Sequence, residues 1–134
     1  MTAAAFASPA VAARLSAVVG ASVWLSDYPL ELRTYPVGAH MAWHRDEALF
    51  EVPQLELVLT LSNTSDSATE WVDAAGGLAR EWTEANSVIA VRAGAALHRV
   101  TPVRRGGRDI VKCVFALDAA RTPAFEANLR NTYE

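Results

Sequence analysis

Between Gln54 and Ser62 the chain alternates strictly between leucine and other residues. Successive side chains of a β-strand point to opposite faces, so this period of two predicts a strand. One face is apolar enough to pack against a helix, whereas the other is mixed, as a face that lines a cavity would be. The apolar face comprises Leu55, Leu57, Leu59 and Leu61, and the mixed face comprises Glu56, Val58, Thr60 and Ser62.

A single helix is predicted between Ser8 and Gly20. Ser8 is a suitable N-cap, because its side-chain oxygen can accept a hydrogen bond from a free amide of the first turn. Pro9 fits the first helical position, where no N–H is needed, and Gly20 can adopt the left-handed conformation that ends a helix. Three residues at helical spacing are expected to face a core: Val11, Leu15 and Val18.

After Gly20 the chain is predicted to form short strands separated by turn residues. Besides 54–62, the strand candidates are 22–26, 31–35, 40–44, 69–71, 87–91, 97–103 and 108–115, with a loop at 73–77. Thr122-Pro123 again combines a cap with a proline and is expected to begin a short C-terminal helix. Many short strands with a helix packed outside favour an antiparallel sandwich or small barrel, although periodicity alone does not choose among jelly rolls.

Length and composition indicate one folded domain. The chain has 134 residues, of which 51% are hydrophobic and 20% charged, the balance of an ordinary globular domain. We therefore expect residues 1–134 to form a single domain with a core over 21–118. The N-terminal stretch lacks a basic start and Arg14 interrupts its apolar run, so we expect neither a signal peptide nor a membrane span.

Charge and cysteine content narrow the function classes further. Twelve basic residues against fifteen acidic ones give a net charge of −3, which does not favour a nucleic-acid partner. Cys113 is the only cysteine, which excludes a disulfide within the chain and a cysteine-rich zinc site, so a reducing, cytoplasmic location fits best. A local basic cluster is expected to be a solvated edge: Arg99, Arg104, Arg105, Arg108 and Lys112.

The candidate chemistry centres on His44, Asp46 and His98, hereafter the triad. On a strand His44 and Asp46 point the same way because they are two residues apart, so both could reach one metal ion. His98 follows a β-rich stretch and a turn at Gly94, and it would add a second imidazole. Two histidines and one carboxylate form a facial triad, which is characteristic of non-haem Fe(II) oxygenases. The three residues could instead be separate polar residues of the surface or core.

His40 has more than one interpretation. Its spacing of four from His44 is that of a helical zinc pair, but no Glu follows His40, and Pro36 and Gly38 lie just upstream. If the segment is extended, His40 shares the parity of His44 and could line the mouth of a pocket. We expect a solvent-exposed or core histidine.

Together with their surroundings, these residues resemble a known family. The pattern comprises Tyr35-x-x-Gly38, His44-x-Asp46, and His98 followed by Pro102-Val103, Gly106 and, ten residues after His98, Arg108. It closely resembles the 2-oxoglutarate/Fe(II)-dependent dioxygenases, nearest to their prolyl-hydroxylase-like branch, over residues 31–117. The resemblance implies a mainly β, double-stranded β-helix (a cupin-like jelly roll), with an N-terminal helix packed on the outer face and a short C-terminal helix.

The resemblance also implies a role for each site residue. The triad would ligate Fe(II), and Arg108 would hold the distal carboxylate of 2-oxoglutarate, since a guanidinium pairs with a carboxylate through two parallel hydrogen bonds. Tyr35 and Thr69 would contact the same co-substrate, and the alternative for Tyr35 is a half-buried tyrosine of the sheet. The Gly106-Gly107 turn would place the Arg108 strand beside the His98 strand.

Three positions refine the comparison with the family. Met41 stands where the prolyl-hydroxylase motif has a second tyrosine, and Arg108-Asp109-Ile110 stands where many members have Arg-x-Ser. Asp46 supplies a carboxylate at the position that related halogenases leave open for chloride. The resemblance therefore implies hydroxylation or a similar oxidation.

The implied function is a dioxygenase that uses Fe(II), 2-oxoglutarate and O₂ to oxidise an unactivated C–H, with release of succinate and CO₂. Its substrate would be a small molecule, an amino acid or a peptide side chain, and a homodimer could supply missing pocket walls. The alternative is a cupin-like barrel that binds a metal and a small acid without dioxygenase activity. Candidates for substrate contact are His40, Trp43, Trp71 and Arg80.

Overall fold

The computed structural model describes residues 3–133, which form three helices and nine strands. The helices are α1 (Ala3–Phe6), α2 (Pro9–Val19) and α3 (Pro123–Tyr133). The strands are β1 (Trp24–Leu25), β2 (Glu31–Tyr35), β3 (Met41–His44), β4 (Leu55–Asn63), β5 (Thr69–Val72), β6 (Leu78–Glu81), β7 (Val88–Arg92), β8 (His98–Val100) and β9 (Arg108–Ala116). None of the helices in this part of the chain is long and apolar enough to cross a membrane.

The strands form two antiparallel sheets with a cavity between them. In the larger sheet the strand order is β1-β9-β4-β7, and β2 also pairs with β9. In the smaller sheet the order is β3-β8-β5-β6. Both sheets contribute side chains to the cavity, as Ile110 of β9 and Val100 of β8 illustrate. The predicted mainly β jelly roll with an N-terminal and a C-terminal helix is confirmed.

The N-terminal helix packs on the outer face of the larger sheet, as predicted. Alternate residues of β4 turn Glu56 and Val58 towards the interior, so the two faces predicted for this strand are confirmed. Its leucines contribute to a buried outer cluster of Phe6, Val23, Leu55, Leu57, Leu59, Cys113 and Phe115. The residues of α2 that pack against this cluster are Val11, Leu15 and Val19.

Two details of the predicted helix are wrong. The side chain of Ser8 makes no capping hydrogen bond, although Pro9 and Gly20 (φ 76°) occupy the first helical and left-handed terminal positions as predicted. Val18 is 86% exposed and Val19 packs against the core in its place. The residues that pack on the sheet, Val11, Leu15 and Val19, are partly buried and recur at intervals of four, and Val18 lies beside this row.

A second apolar cluster fixes α3 near the open end of the cavity. Phe125 of α3 packs edge-on against Phe50, with ring centroids 5.5 Å apart. The backbone N–H of Thr122 donates to the Leu49 carbonyl at 2.9 Å, just before the helix begins at Pro123 as predicted. The helix is thereby held against the 45–50 segment that follows β3.

The predicted placement of the Arg108 strand beside the His98 strand is wrong. β8 pairs with β3 and β5 in the smaller sheet, whereas β9 pairs with β1, β2 and β4 in the larger one. The 101–107 segment crosses between the sheets instead of forming a hairpin. At its start Thr101 N–H donates to Ala68, and at its end the Gly107 carbonyl accepts from Thr64.

Two elements were not expected from the sequence pattern, α1 and β6. β6 pairs with β5 around the predicted 73–77 loop, and it forms the edge of the smaller sheet. Its residues Leu78-Ala79-Arg80-Glu81 show no alternation of apolar and polar positions. An edge strand with most residues exposed needs no such alternation, because neither face enters the core.

We expect Gly106 to be far less replaceable than Gly20. Both have positive φ, 71° and 76°, but a Cβ at Gly106 would lie 2.2 Å from the Thr64 carbonyl oxygen, whereas Gly20 faces open space. The left-handed conformation alone costs an alanine roughly 1–2 kcal/mol. Gly106→Ala should therefore lower the free energy of unfolding in urea by about 2 kcal/mol more than Gly20→Ala. Equal losses would contradict the close approach at Gly106.

We expect the thiol of Cys113 to be inert in the folded protein. Cys113 is fully buried, and burial raises the pKa of its thiol to about 12. Because the thiolate is the reactive form, Ellman's reagent at pH 8 should react roughly 100-fold more slowly with native than with urea-unfolded protein. Comparable rates would show that β9 opens readily.

Candidate metal centre and anion pocket

The three predicted metal ligands meet between the sheets. His44 ends β3 and pairs in register with His98, the first residue of β8, and Asp46 lies two residues beyond β3. The distance from His44 Nε2 to Asp46 Oδ1 is 3.4 Å, and that from His98 Nε2 to Asp46 Oδ2 is 3.6 Å. One potential ligand atom from each residue lies within 4.8 Å of the others. The structure therefore brings the triad together.

The main chain orients both imidazoles of the triad. His44 Nδ1 lies 2.7 Å from the Ala42 carbonyl oxygen, and His98 Nδ1 lies 2.9 Å from that of Ala96. A carbonyl oxygen only accepts, so each Nδ1 carries the proton, and in the neutral ring Nε2 keeps its lone pair. Both Nε2 atoms lie beside the Asp46 carboxylate. Such hydrogen bonds to the second ring nitrogen typically fix metal-ligating histidines.

A β-bulge in β3 directs His44 into the cavity. Met41 pairs with Val100 and His44 pairs with His98, so a step of three residues on β3 faces a step of two on β8. Met41 and His44 both line the cavity despite their odd separation. The bulge breaks the parity that would have turned His40 inward, and His40 is exposed, as expected.

Arg108 lies in the same cavity as the triad and is buried without a counter-ion. It is 3% exposed, and its Nε has no hydrogen-bond partner. Its Nη1 donates to Thr69 Oγ1 at 3.4 Å. None of the ion pairs formed within residues 3–133 includes Arg108. Burial lowers the pKa of its guanidinium, which indicates that the charge lacks the anion that would stabilise it.

The remaining lining of this cavity is mostly apolar. Tyr35 is 4% exposed and pairs with Arg108 across β2 and β9, and its hydroxyl accepts a hydrogen bond from Arg33 at 3.4 Å. The apolar walls comprise Met41, Val58, Ile89, Val91, Val100 and Ile110. The cavity, hereafter the inner cavity, thus combines the unpaired Arg108, two hydroxyl groups and the triad with apolar walls, and Arg33 and Lys112 also line it.

Two further charged residues lie beside the triad, and sequence reasoning missed their part in the site. Lys112 Nζ lies 3.4 Å from Glu56 Oε2 and 4.0 Å from Asp46 Oδ1. Burial and the neighbouring Asp46 raise the pKa of Glu56 to about 8. Burial alone would raise the pKa of Asp46, but a hydrogen bond from Glu56, together with Lys112 and the two imidazoles, lowers it. The acids also outweigh burial at Lys112 and raise its pKa.

The alternation of inward and outward side chains along a strand is the sequence signal that places these two residues in the site. Glu56 alternates with the leucines of β4, so it belongs to the inward face. Lys112 shares the parity of Arg108 on β9, and the predicted solvated edge is wrong for both of these cations, which face the interior. Grouping basic residues by their proximity in sequence hides this parity, because it joins residues that point to opposite faces of the strand.

The other members of the predicted basic cluster, Arg99, Arg104 and Arg105, lie outside the inner cavity, as the solvated-edge interpretation requires. Arg99 of β8 and Arg80 of β6 both pair with Glu70, whose side chain is buried beneath them. The Arg99 guanidinium also stacks over Trp43, 4.9 Å from the ring centroid. Trp43, Arg80 and Arg99 therefore form an outer surface of the smaller sheet and do not line the inner cavity.

Sequence comparisons identify no relative of this chain. A scan against protein-family models gives no match. No curated protein sequence matches either.

Solved structures share the fold. A 2OG-Fe(II) oxygenase family oxidoreductase from Burkholderia pseudomallei matches with a TM-score of 0.75 and 13% identity. The match covers 87% of this chain and 56% of the oxidoreductase. A Pseudomonas putida prolyl-4-hydroxylase matches with a TM-score of 0.65 and 18% identity, over 81% of this chain and 62% of the hydroxylase. The non-heme α-ketoglutarate-dependent epimerase SnoN from nogalamycin biosynthesis matches with a TM-score of 0.66 and 14% identity, over 84% of this chain and 54% of SnoN.

These similarities confirm the fold that the family resemblance implied. The chain spans only 54–62% of the length of these three structures. At such identities the similarity concerns the fold, and the chemistry has to be argued from the site itself.

We expect opposite effects on stability from removing Arg108 and Arg99. Without ligand, Arg108→Met should raise the free energy of unfolding by about 1 kcal/mol, because it removes a buried charge that has no partner. Arg99→Met should lower it by about 1 kcal/mol, because it strips one of two cations from the buried Glu70. Urea unfolding in a buffer free of metal and carboxylate measures both. A loss of stability in Arg108→Met would contradict the uncompensated charge.

Proposed function

We propose that this chain, which has the fold of the 2OG-Fe(II) oxygenases, is a 2-oxoglutarate- and Fe(II)-dependent dioxygenase. It would hydroxylate or otherwise oxidise an unactivated C–H of a small molecule, amino acid or peptide side chain. One observation carries the proposal: the triad shares a cavity with Arg108, a buried cation that has no anionic partner. A metal-binding barrel without a dicarboxylate co-substrate has no use for that cation.

The donor set of the triad fits Fe(II). His44 and His98 each present an Nε2 lone pair, and Asp46 adds a carboxylate oxygen, all within 4.8 Å of one another. Two imidazoles and one carboxylate on one side of an octahedral ion leave adjacent positions open for other ligands. The absence of cysteine from the site argues against a thiolate-rich structural zinc site.

The surroundings of Arg108 fit one end of 2-oxoglutarate. A guanidinium with a free Nε can pair with a carboxylate through two parallel hydrogen bonds. Thr69 Oγ1 already accepts from Nη1, and its own proton remains available to a second carboxylate oxygen. Tyr35 lies on the adjacent strand in register with Arg108 and would donate its phenolic proton to the same ligand.

When bound, Fe(II) and 2-oxoglutarate would supply the oxidising power. With O₂, 2-oxoglutarate would be decarboxylated to succinate and CO₂, and this reaction would be coupled to the oxidation of a substrate C–H. The chain itself provides position and shielding. Ala42 and Ala96 hold the imidazoles in one tautomer, and Arg108 fixes the co-substrate by its far end. The apolar walls keep water from the reacting region.

The proposal treats residues 1–134 as one catalytic domain with its core over 21–118. Its partners would be O₂ and the organic substrate. A homodimer and a cytoplasmic location stay predictions.

Anaerobic titration tests the proposal directly. Addition of Fe(II) and then 2-oxoglutarate should produce the weak visible charge-transfer absorption that the family resemblance implies. His44→Ala and Asp46→Ala should abolish the absorption and the O₂-dependent formation of succinate, while circular dichroism shows an intact fold. Arg108→Met should weaken 2-oxoglutarate binding about 10- to 100-fold, since it removes a buried charge-assisted pair.

Arg14→Met is the matched control, because Arg14 is an exposed arginine on α2 and lies outside the inner cavity. It should leave both absorption and succinate formation unchanged. Binding of Fe(II) without any effect of 2-oxoglutarate would sink the proposal and favour the cupin-like alternative. Unfolding of the triad variants would assign a structural role to these residues instead.

A further inference from the structure

A second cavity, hereafter the outer cavity, adjoins the triad. It shares His44, Asp46, Arg33 and Lys112 with the inner cavity, but Arg108 does not line it. Its other walls come from β2, from the segment after β3 and from α3. The further polar residues of its lining are Glu31, Arg45, Glu47, Glu56 and Asn128.

Several charged side chains of the outer cavity have partners within its own wall. Arg33 pairs with Glu31, two residues away on β2. Arg45 Nε donates to the Ala95 carbonyl at 3.4 Å, and Glu47 Oε2 accepts from Asn128 at 3.2 Å. Arg33 is thus neutralised by an acid, whereas Arg45 and Glu47 have neutral hydrogen-bond partners.

Lys112 differs from Arg45 because it lines both cavities and lies beside the triad, and its ammonium retains capacity for a ligand. It lies in ion-pair contact with Glu56 and Asp46, at 3.4 and 4.0 Å, and its side chain is 25% exposed. An ammonium has three N–H donors, and two neighbouring carboxylates leave at least one directed elsewhere. Lys112 thus offers a fixed positive charge and a free donor beside the triad.

The position of Lys112 on β9 separates it from Arg108 along one wall. Residues four apart on a strand point the same way and lie roughly 13 Å apart along it. Both cations face the interior, but only Lys112 reaches the outer cavity. The wall therefore carries two cations, one in the inner cavity alone and one where the two cavities meet.

We infer that the outer cavity binds a substrate that carries a carboxylate and that Lys112 pairs with this group. The inference rests on the proposed function, in which Arg108 holds 2-oxoglutarate and leaves the outer cavity to the substrate. A monoanion suits the site better than a dianion such as phosphate, because the carboxylates of Glu31, Asp46 and Glu47 face the same space. Pairing at Lys112 would hold the substrate by its acid end, with neighbouring C–H groups beside the triad.

The composition of the chain makes the inference directly measurable. Lys112 is its only lysine, so protein labelled with ¹³C-lysine gives a single lysine Cε resonance. The probes are the free L-amino acids and the straight-chain acids from acetate to octanoate, each beside its own carboxamide. Spectra are recorded with and without saturating 2-oxoglutarate, with Zn(II) as a redox-inert ion.

At least one acid should shift the Lys112 resonance and bind about 10-fold more tightly than its carboxamide, the effect of one charge-assisted pair. Lys112→Met should remove this preference in calorimetry and leave 2-oxoglutarate affinity within about threefold. Glu56→Gln/Lys112→Met, which removes the ammonium together with the acid nearest to it, provides a second variant if the single one unfolds. Arg14→Met is the control and should keep the preference.

Three outcomes would overturn the inference. In the first, no acid shifts the resonance; in the second, acids and carboxamides bind equally well. In the third, 2-oxoglutarate itself shifts the resonance and loses affinity in Lys112→Met, which would assign Lys112 to the co-substrate. Failure of 2-oxoglutarate to bind at all would instead refute the proposed function, and the acid spectra recorded without it would still report on Lys112.

Discussion

A positive charge buried between two β-sheets raises the free energy of a protein unless an anion neutralises it. Arg108 is in this position, since Nε has no partner and Thr69 provides only one neutral acceptor. No acidic side chain among residues 3–133 forms an ion pair with it. A chain that retains such a residue gives up some stability in the empty state and regains it when an anion enters. The inner cavity is therefore best understood as a binding site that an anionic ligand completes.

The geometry around this charge follows from strand alternation and register. On β9, alternate residues separate the outer apolar cluster, with Cys113 and Phe115, from the interior positions of Arg108 and Lys112. On the opposite sheet, the pairing of His44 with His98 brings two distant parts of the chain to one point. Neither arrangement needs a long loop, which is why a short chain can assemble metal ligands and an anion site together.

Much of this could be read from the sequence, because it depends on local patterns. The alternation in β4 identified its two faces, and the spacing of His44 and Asp46 indicated ligands that act together. Contacts between elements were harder to predict. The crossing of 101–107 from one sheet to the other places Arg108 opposite His98 and not beside it, and no local property of the Gly106-Gly107 turn distinguishes these two paths.

The bulge in β3 illustrates a second limit. Simple parity would align His40 with His44, but one additional residue in the ladder aligns Met41 with His44 instead. A bulge depends on the partner strand, so it leaves no clear trace in the strand itself. The ion pair of Glu56 and Lys112 was missed for a related reason, because its members come from neighbouring strands that are distant in sequence.

Both imidazoles take their orientation from peptide carbonyls, at Ala42 and Ala96, and not from acidic side chains. A carbonyl is present whatever residue occupies the position, so mutation at these two sites leaves the hydrogen bond intact as long as the backbone path is kept. Substitutions at these neighbouring positions therefore leave the geometry of the two metal-ligating histidines unchanged. Homologous chains could vary the walls around the metal ligands, and with them the molecules they accept, without having to rebuild the centre each time.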